Sequence, residues 1–160
     1  MVTVTTQPQR TLAQLASTLR PLTLTLCGGL FVMGLLLVFT LLPDGTASVL
    51  GLLVGLVLGL VAIGASRVVP QRRTTPLQPG DDASDVVQRV RMMALQAAVA
   101  AEVPALLAFV LAVVSGTDRG AYLVAAPLAA VAVVRNATST VALRRHAVHL
   151  ESAGVSTGFR

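Results

Sequence analysis

Lysine and tryptophan are absent from this 160-residue chain, cysteine and tyrosine occur once each, and charged residues make up only 12%. Each scarcity excludes something. A lone Cys27 rules out an intrachain disulfide and a cysteine-based zinc site. It sits in Leu24-Thr25-Leu26-Cys27-Gly28, where a lipoprotein cleavage box would want a small residue in place of Leu26, so it reads as a buried apolar thiol. Neither histidine falls in an apolar block, which argues against haem ligation within a bilayer. Aromatic residues reach only 3%, so the net charge of +5 has almost no aromatic interleaving of the kind nucleic-acid binding uses. The arginines instead flank apolar blocks, a placement that a lipid surface explains and a nucleic acid does not. All 12 basic residues are arginine, which together with abundant Ala, Val, Leu and Gly gives the impression of a GC-rich bacterial source.

What is present is apolar sequence: 54% of residues, gathered into four blocks. The first, Leu22–Leu42, is about 21 residues, longer than the ~7–15 of a signal-peptide core, and is read as a span. Pro43-Asp44-Gly45-Thr46, a tight-turn signal, separates it from Ala47–Val69. The third block runs from Met92 to Val114, and Ser115 to Gly120 form a second short turn. The fourth is purely apolar only over Ala121–Val134, about 21 Å of helix, so it must draw on Arg135–Leu143 to cross ~30 Å of hydrocarbon.

Arginine placement predicts the orientation. Arg10 and Arg20 precede the first block, Arg67, Arg72, Arg73, Arg89 and Arg91 lie between the second and third, and Arg135, Arg144, Arg145 and Arg160 close the chain. The two short turns hold only Arg119. The positive-inside rule therefore puts both termini and the long loop in the cytoplasm. The expected fold is all-α: a polytopic membrane bundle of four transmembrane helices in two hairpins, in the bacterial inner membrane. Its parts are an amphipathic N-terminal segment (1–20), a first hairpin (21–69), a cytoplasmic loop (70–90), a second hairpin (91–143) and a basic tail (144–160). Leu12, Leu15 and Leu19 read as a short surface helix. Asp44 corresponds to Asp118 if the hairpins are a parallel repeat.

In the loop, prolines 70, 76 and 79 discourage helix, and Ser84 or Asp85 is expected to cap the third helix. Asp81, Asp82 and Asp85 do not supply the 6–8 oxygens of a calcium cage, and His146 with His149 and Glu151 lacks a third histidine, so no metal and no cofactor are expected. The His146 region reads as a solvated basic helix end.

Two features ask for an explanation. Gly51, Gly55 and Gly59 share one helix face and allow close backbone approach, either within the bundle, against the first or third span, or between copies. Glu102 stands about 16 Å beyond Arg91, near the bilayer midplane, where a charge costs at least ~2.5–3.5 kcal/mol. It is expected to face the interior, either protonated against the Ala100 carbonyl freed by Pro104 or Gln96, or paired with Arg135, whose own alternative is to reach the headgroups.

Gly51–Gly59, the loop with Gln71-Arg72, and Ala98-Val99-Ala100-Ala101-Glu102-Val103-Pro104 resemble the ATP synthase c-subunit hairpin. That resemblance implies a proton-carrying carboxylate at Glu102. It departs from the family in a longer loop, a glycine spacing of four rather than two, and two extra helices. As a whole the chain is similar to small four-helix bacterial membrane proteins of unknown function. No nucleophile–base pair or phosphate loop points to an enzyme. The expectation is a non-enzymatic structural or accessory subunit, partnered by lipid and by a homo-oligomer or larger membrane complex; the alternative is a proton- or cation-coupled proteolipid or carrier acting through Glu102.

Overall fold

A computed structural model describes residues 12–76 and 83–151; Asp81 and Asp82 lie outside them. Over these residues the protein is helical: α1 (Leu12–Leu36), α2 (Val49–Arg73), α3 (Ala83–Ser115), α4 (Gly120–Val133) and α5 (Thr140–Leu150). π-helical turns follow α1 at Leu37–Leu41 and α4 at Val134–Thr138. Four stretches are long and apolar enough to cross a membrane: Gln14–Leu41, Val49–Arg73, Asp85–Ser115 and Gly120–Thr138. Where no water can satisfy a freed backbone group, the helix is its best partner. The four prolines 21, 70, 104 and 127 accordingly sit inside helices rather than ending them.

That preference redraws three boundaries. Leu12–Leu19 is no separate surface helix but the first turns of α1, and Leu15, Ala16 and Leu19 bury against Val86, Val90 and Met93 of α3 and Leu143 and Leu150 of α5. A protein surface is available to this stripe, so it need not lie on lipid headgroups. Pro70, expected to open a loop, is buried within α2, which runs to Arg73. Together with the early start of α3 at Ala83, this leaves a linker far shorter than 70–90. Asp85 stands in the first turn of α3, where a negative charge complements the helix dipole. The fourth span stops short of Leu143: Ser139 turns to extended backbone (φ −69°, ψ 149°) and caps α5 by accepting from the Ala142 N–H at 3.1 Å.

Packing is tightest among α2, α3 and α4, while α1 lies chiefly on α4 rather than along its sequence neighbour α2. The interior is built from alanine. Ala97, Ala98, Ala101, Ala105 and Ala108 of α3 meet Ala125, Ala129 and Ala132 of α4, all essentially inaccessible. Small residues of this kind let helices approach where lipid leaves no hydrophobic force to drive them together. The large residues point outward: Phe31 and Phe39 are 67% and 73% exposed. That is the inverse of a water-soluble core and suits a protein whose solvent is hydrocarbon.

Candidate functional site

At the turn end, the two short connections are joined. Thr46 N–H donates to the Thr117 carbonyl at 2.8 Å and Arg119 N–H to the Thr46 carbonyl at 3.0 Å. Asp118 accepts from the Ser48 hydroxyl, from Ser48 N–H at 3.2 Å and from Gly120 N–H at 2.8 Å. Ser48 in turn caps α2 by accepting from Gly51 N–H at 2.9 Å. One carboxylate thus serves the starts of both α2 and α4, satisfying donors that helix termini leave orphaned. The Ser48 hydroxyl bond, followed by the Gly120 and Ser48 backbone donors, holds the Asp118 carboxyl below the usual range against a weaker opposing effect of burial. Gly116 supplies the left-handed residue (φ 68°) that the second turn requires. Asp44 has no such role and is exposed.

The glycine face of α2 runs down from this clasp against the fourth span, not the first or third. A Cβ at Gly51 would collide with the Asp118 carboxylate, at Gly55 with the Ala121 carbonyl, and at Gly59 with the Leu128 side chain. Gly64, further along, has open space. Tyr122 pins α1 to the same region. Its hydroxyl donates to the Leu30 carbonyl at 2.5 Å and its ring meets Phe109 edge-on at 5.4 Å. Beside it, an open apolar groove of about 530 Å³ between α1 and α4 is lined by Leu30, Phe31, Gly34, Tyr122, Leu123 and Pro127. It offers an acyl chain a seat and no chemistry.

Glu102 lies halfway down α3 on a flank. Ala98, Ala101 and Ala105 beside it are buried, whereas Val99, Val103 and Leu106 on its other side face outward. The side chain is half-buried, at the edge of the interior rather than within it. It stands within electrostatic reach of Cys27 on α1. Neither expected hydrogen-bond partner is engaged: Gln96 instead accepts the Thr74 hydroxyl at 3.4 Å, and the Ala100 carbonyl makes no bond to the carboxyl. Nor does Arg135 pair with it. Among the described residues Glu102 has no hydrogen bond and no ion pair, and Arg135 projects exposed from the π-helical turn after α4.

Towards the arginine-rich end, residues not singled out by the sequence form a buried polar link. Asn136 Nδ2 donates to Ser66 Oγ at 2.9 Å, while Arg67 Nε donates to Asn136 Oδ1 at 3.3 Å. Ser66 and Asn136 are at most 1% exposed. The π-helical turn is what swings Asn136 inward beside exposed Arg135. Below it, His146 is not solvated as expected: it is 1% exposed, with both ring nitrogens unpaired. Leu143 and Leu150, a turn before and after it, carry that face of α5 into the cluster with α1 and α3. Burial, with Arg145 and His149 nearby, pushes the imidazole down to about 4 against an opposing pull from the Asn136 backbone. Among the described residues no group of three His, Cys, Asp or Glu stands together as a metal centre would require.

Compared with known protein families, with curated proteins and with solved structures, the chain matches none, and the c-subunit likeness of residues 51–104 gains no support from them.

Proposed function

We propose that this chain is a non-catalytic integral membrane protein, a structural or accessory subunit that recognises its partner inside the bilayer through Glu102. In this reading the arginine-rich end is cytoplasmic, the clasped turns face outward, and the membrane is a bacterial inner membrane. One observation carries it: a half-buried carboxyl at mid-depth in a spanning helix with no partner in its own chain. An ionised carboxylate there costs ~2.5–3.5 kcal/mol even on insertion scales, so an acid kept at that place gains by meeting a donor from outside the chain.

A second reading has the same observation in its favour. A carboxyl without a protein hydrogen bond is free to exchange a proton, as a proteolipid or carrier needs. The two part company on Glu102→Gln. Under the accessory reading, the mass of the detergent-solubilised particle falls when Glu102 becomes Gln or Ala, and proteoliposomes show no pH-gradient-driven flux for any variant. A flux that Glu102→Gln abolishes, with particle mass unchanged, would overturn the accessory reading in favour of the carrier.

A further inference from the structure

Resting on the accessory reading, we propose that the partner met by Glu102 is a second copy of this chain, and that copies assemble head to tail with Glu102 of one against Arg135 of the next. The first ground is depth. Glu102 lies about 20 Å of helix below Ser115, and Arg135 about 22 Å below Gly120. The residues at which α3 ends and α4 begins are held together, with Ser115 Oγ donating to the Asp118 carbonyl at 3.1 Å and Gly120 N–H to the Asp118 carboxylate. The two Cα atoms are therefore at nearly one level in the bilayer. Side chains tilt towards a helix N-terminus, so on these antiparallel helices the carboxyl leans to the arginine-rich end and the guanidinium leans to the turns. They converge in height.

The second ground is direction. Phe109, two turns along from Glu102 on the same face of α3, packs on Tyr122, which is bonded to α1; Cys27 of α1 is also near Glu102. Glu102 thus occupies the α1 flank of the bundle. Leu128, two turns before Arg135 on the same face of α4, lies against Gly59 of α2. Arg135 thus occupies the α2 flank. Within one chain the two charges face away from each other, which is why they do not pair.

Charge complementarity completes the case. Glu102 is the one acid in the four apolar blocks. Arg67, the other arginine near this level, is already engaged by Asn136, while Arg135 has no ion pair among the described residues. An acid on one flank and a base at the same height on the other are satisfied together when the α1 flank of one copy meets the α2 flank of the next. Such a contact is heterologous, and with all copies spanning the membrane in one direction it closes into a ring.

The test uses full-length protein in native membranes, with Cys27→Ser as background and a short bis-maleimide as cross-linker. The pair Glu102→Cys and Arg135→Cys in one chain is expected to give a ladder of dimers, trimers and higher species. Co-expressed single variants are expected to give dimers only, and either single variant alone none. Self-linking of Glu102→Cys alone, or a link within one chain with no gain in mass, overturns head-to-tail pairing. Charge exchange guards against misfolding: Glu102→Arg and Arg135→Glu singly should lose the oligomer, and the double variant should regain at least half of it. A particle that stays larger than a monomer and shrinks on Glu102→Gln, yet gives no ladder, contains a different partner; the self-pairing then fails while the accessory reading stands. A monomeric wild-type particle removes both.

Discussion

Acidification should undock α5 before it disturbs the spans, because His146 is buried there as a neutral imidazole with nothing to accept or supply a proton. Its ordinary value of 6.5 is pushed down to about 4, chiefly by burial. The undocked helix therefore binds the proton more readily than the docked one. Above about pH 6.5 neither form is protonated and docking is undiminished; between about 6.5 and 4 docking weakens as pH falls; below about 4 the loss is complete. A depression of that size corresponds to a total of about 3 kcal/mol, and by pH 5.5 opening should already be about tenfold more frequent than at pH 7.5. Amide hydrogen exchange in nanodiscs reads this directly, with α5 amides losing protection relative to those of α2. His146→Leu should flatten the dependence and raise protection at every pH, since it replaces an unpaired buried polar ring with an apolar side chain. His149→Leu, whose ring contacts the Thr74 carbonyl at 3.3 Å, should leave the dependence in place. The reasoning is refuted if α5 protection falls equally with pH in His146→Leu, or if the imidazole titrates at its ordinary value while α5 stays docked.

Other consequences are as direct. Gly55→Val should lower detergent-phase stability by about 1–3 kcal/mol, because its Cβ meets the Ala121 backbone carbonyl, whereas Gly64→Ala should be neutral or stabilising by up to ~1 kcal/mol; thermal melting of the two separates them. Tyr122→Phe should cost about 0.5–1.5 kcal/mol by removing the bond to Leu30, and cysteine cross-linking between α1 and α4 should become less efficient. The Asp118 carboxylate, held below its usual range, stabilises the clasp above about pH 4 and loses that effect as pH falls through its lowered value. Asp118→Ala should therefore speed amide exchange at Gly51 and Gly120 at neutral pH and match wild type in strong acid.

The spans were legible because a bilayer tolerates little but apolar residues over ~20 positions, and the arginines sit where such spans end. Gly51, Gly55 and Gly59 were legible as a contact face for the same reason, but their partner was not. Spacing along α2 says nothing about which helix arrives, and it is α4, brought there by the Thr46–Asp118 bridge between the two turns. The prolines misled: rules learned in water end helices at Pro21 and Pro70, while in hydrocarbon the chain has no better partner than the helix. His146 was read as solvated from its basic neighbours, although Leu143 and Leu150 at helical spacing already marked its face as apolar. Ser48 three residues before Gly51 is a capping signal that was open to view; the Asp118 that locks it, 70 positions away, was not. The depth of Glu102 was readable by counting, but its flank was not, because that depends on where α1 settles.

Every inference about Glu102, Arg135 and the alanine interior presumes that hydrocarbon surrounds the apolar face carrying Phe31 and Phe39. Alkaline carbonate extraction of membranes from cells expressing the native chain tests that premise. The protein should remain in the pellet and come into solution only with detergent; its appearance in the carbonate supernatant as a soluble species would contradict the account.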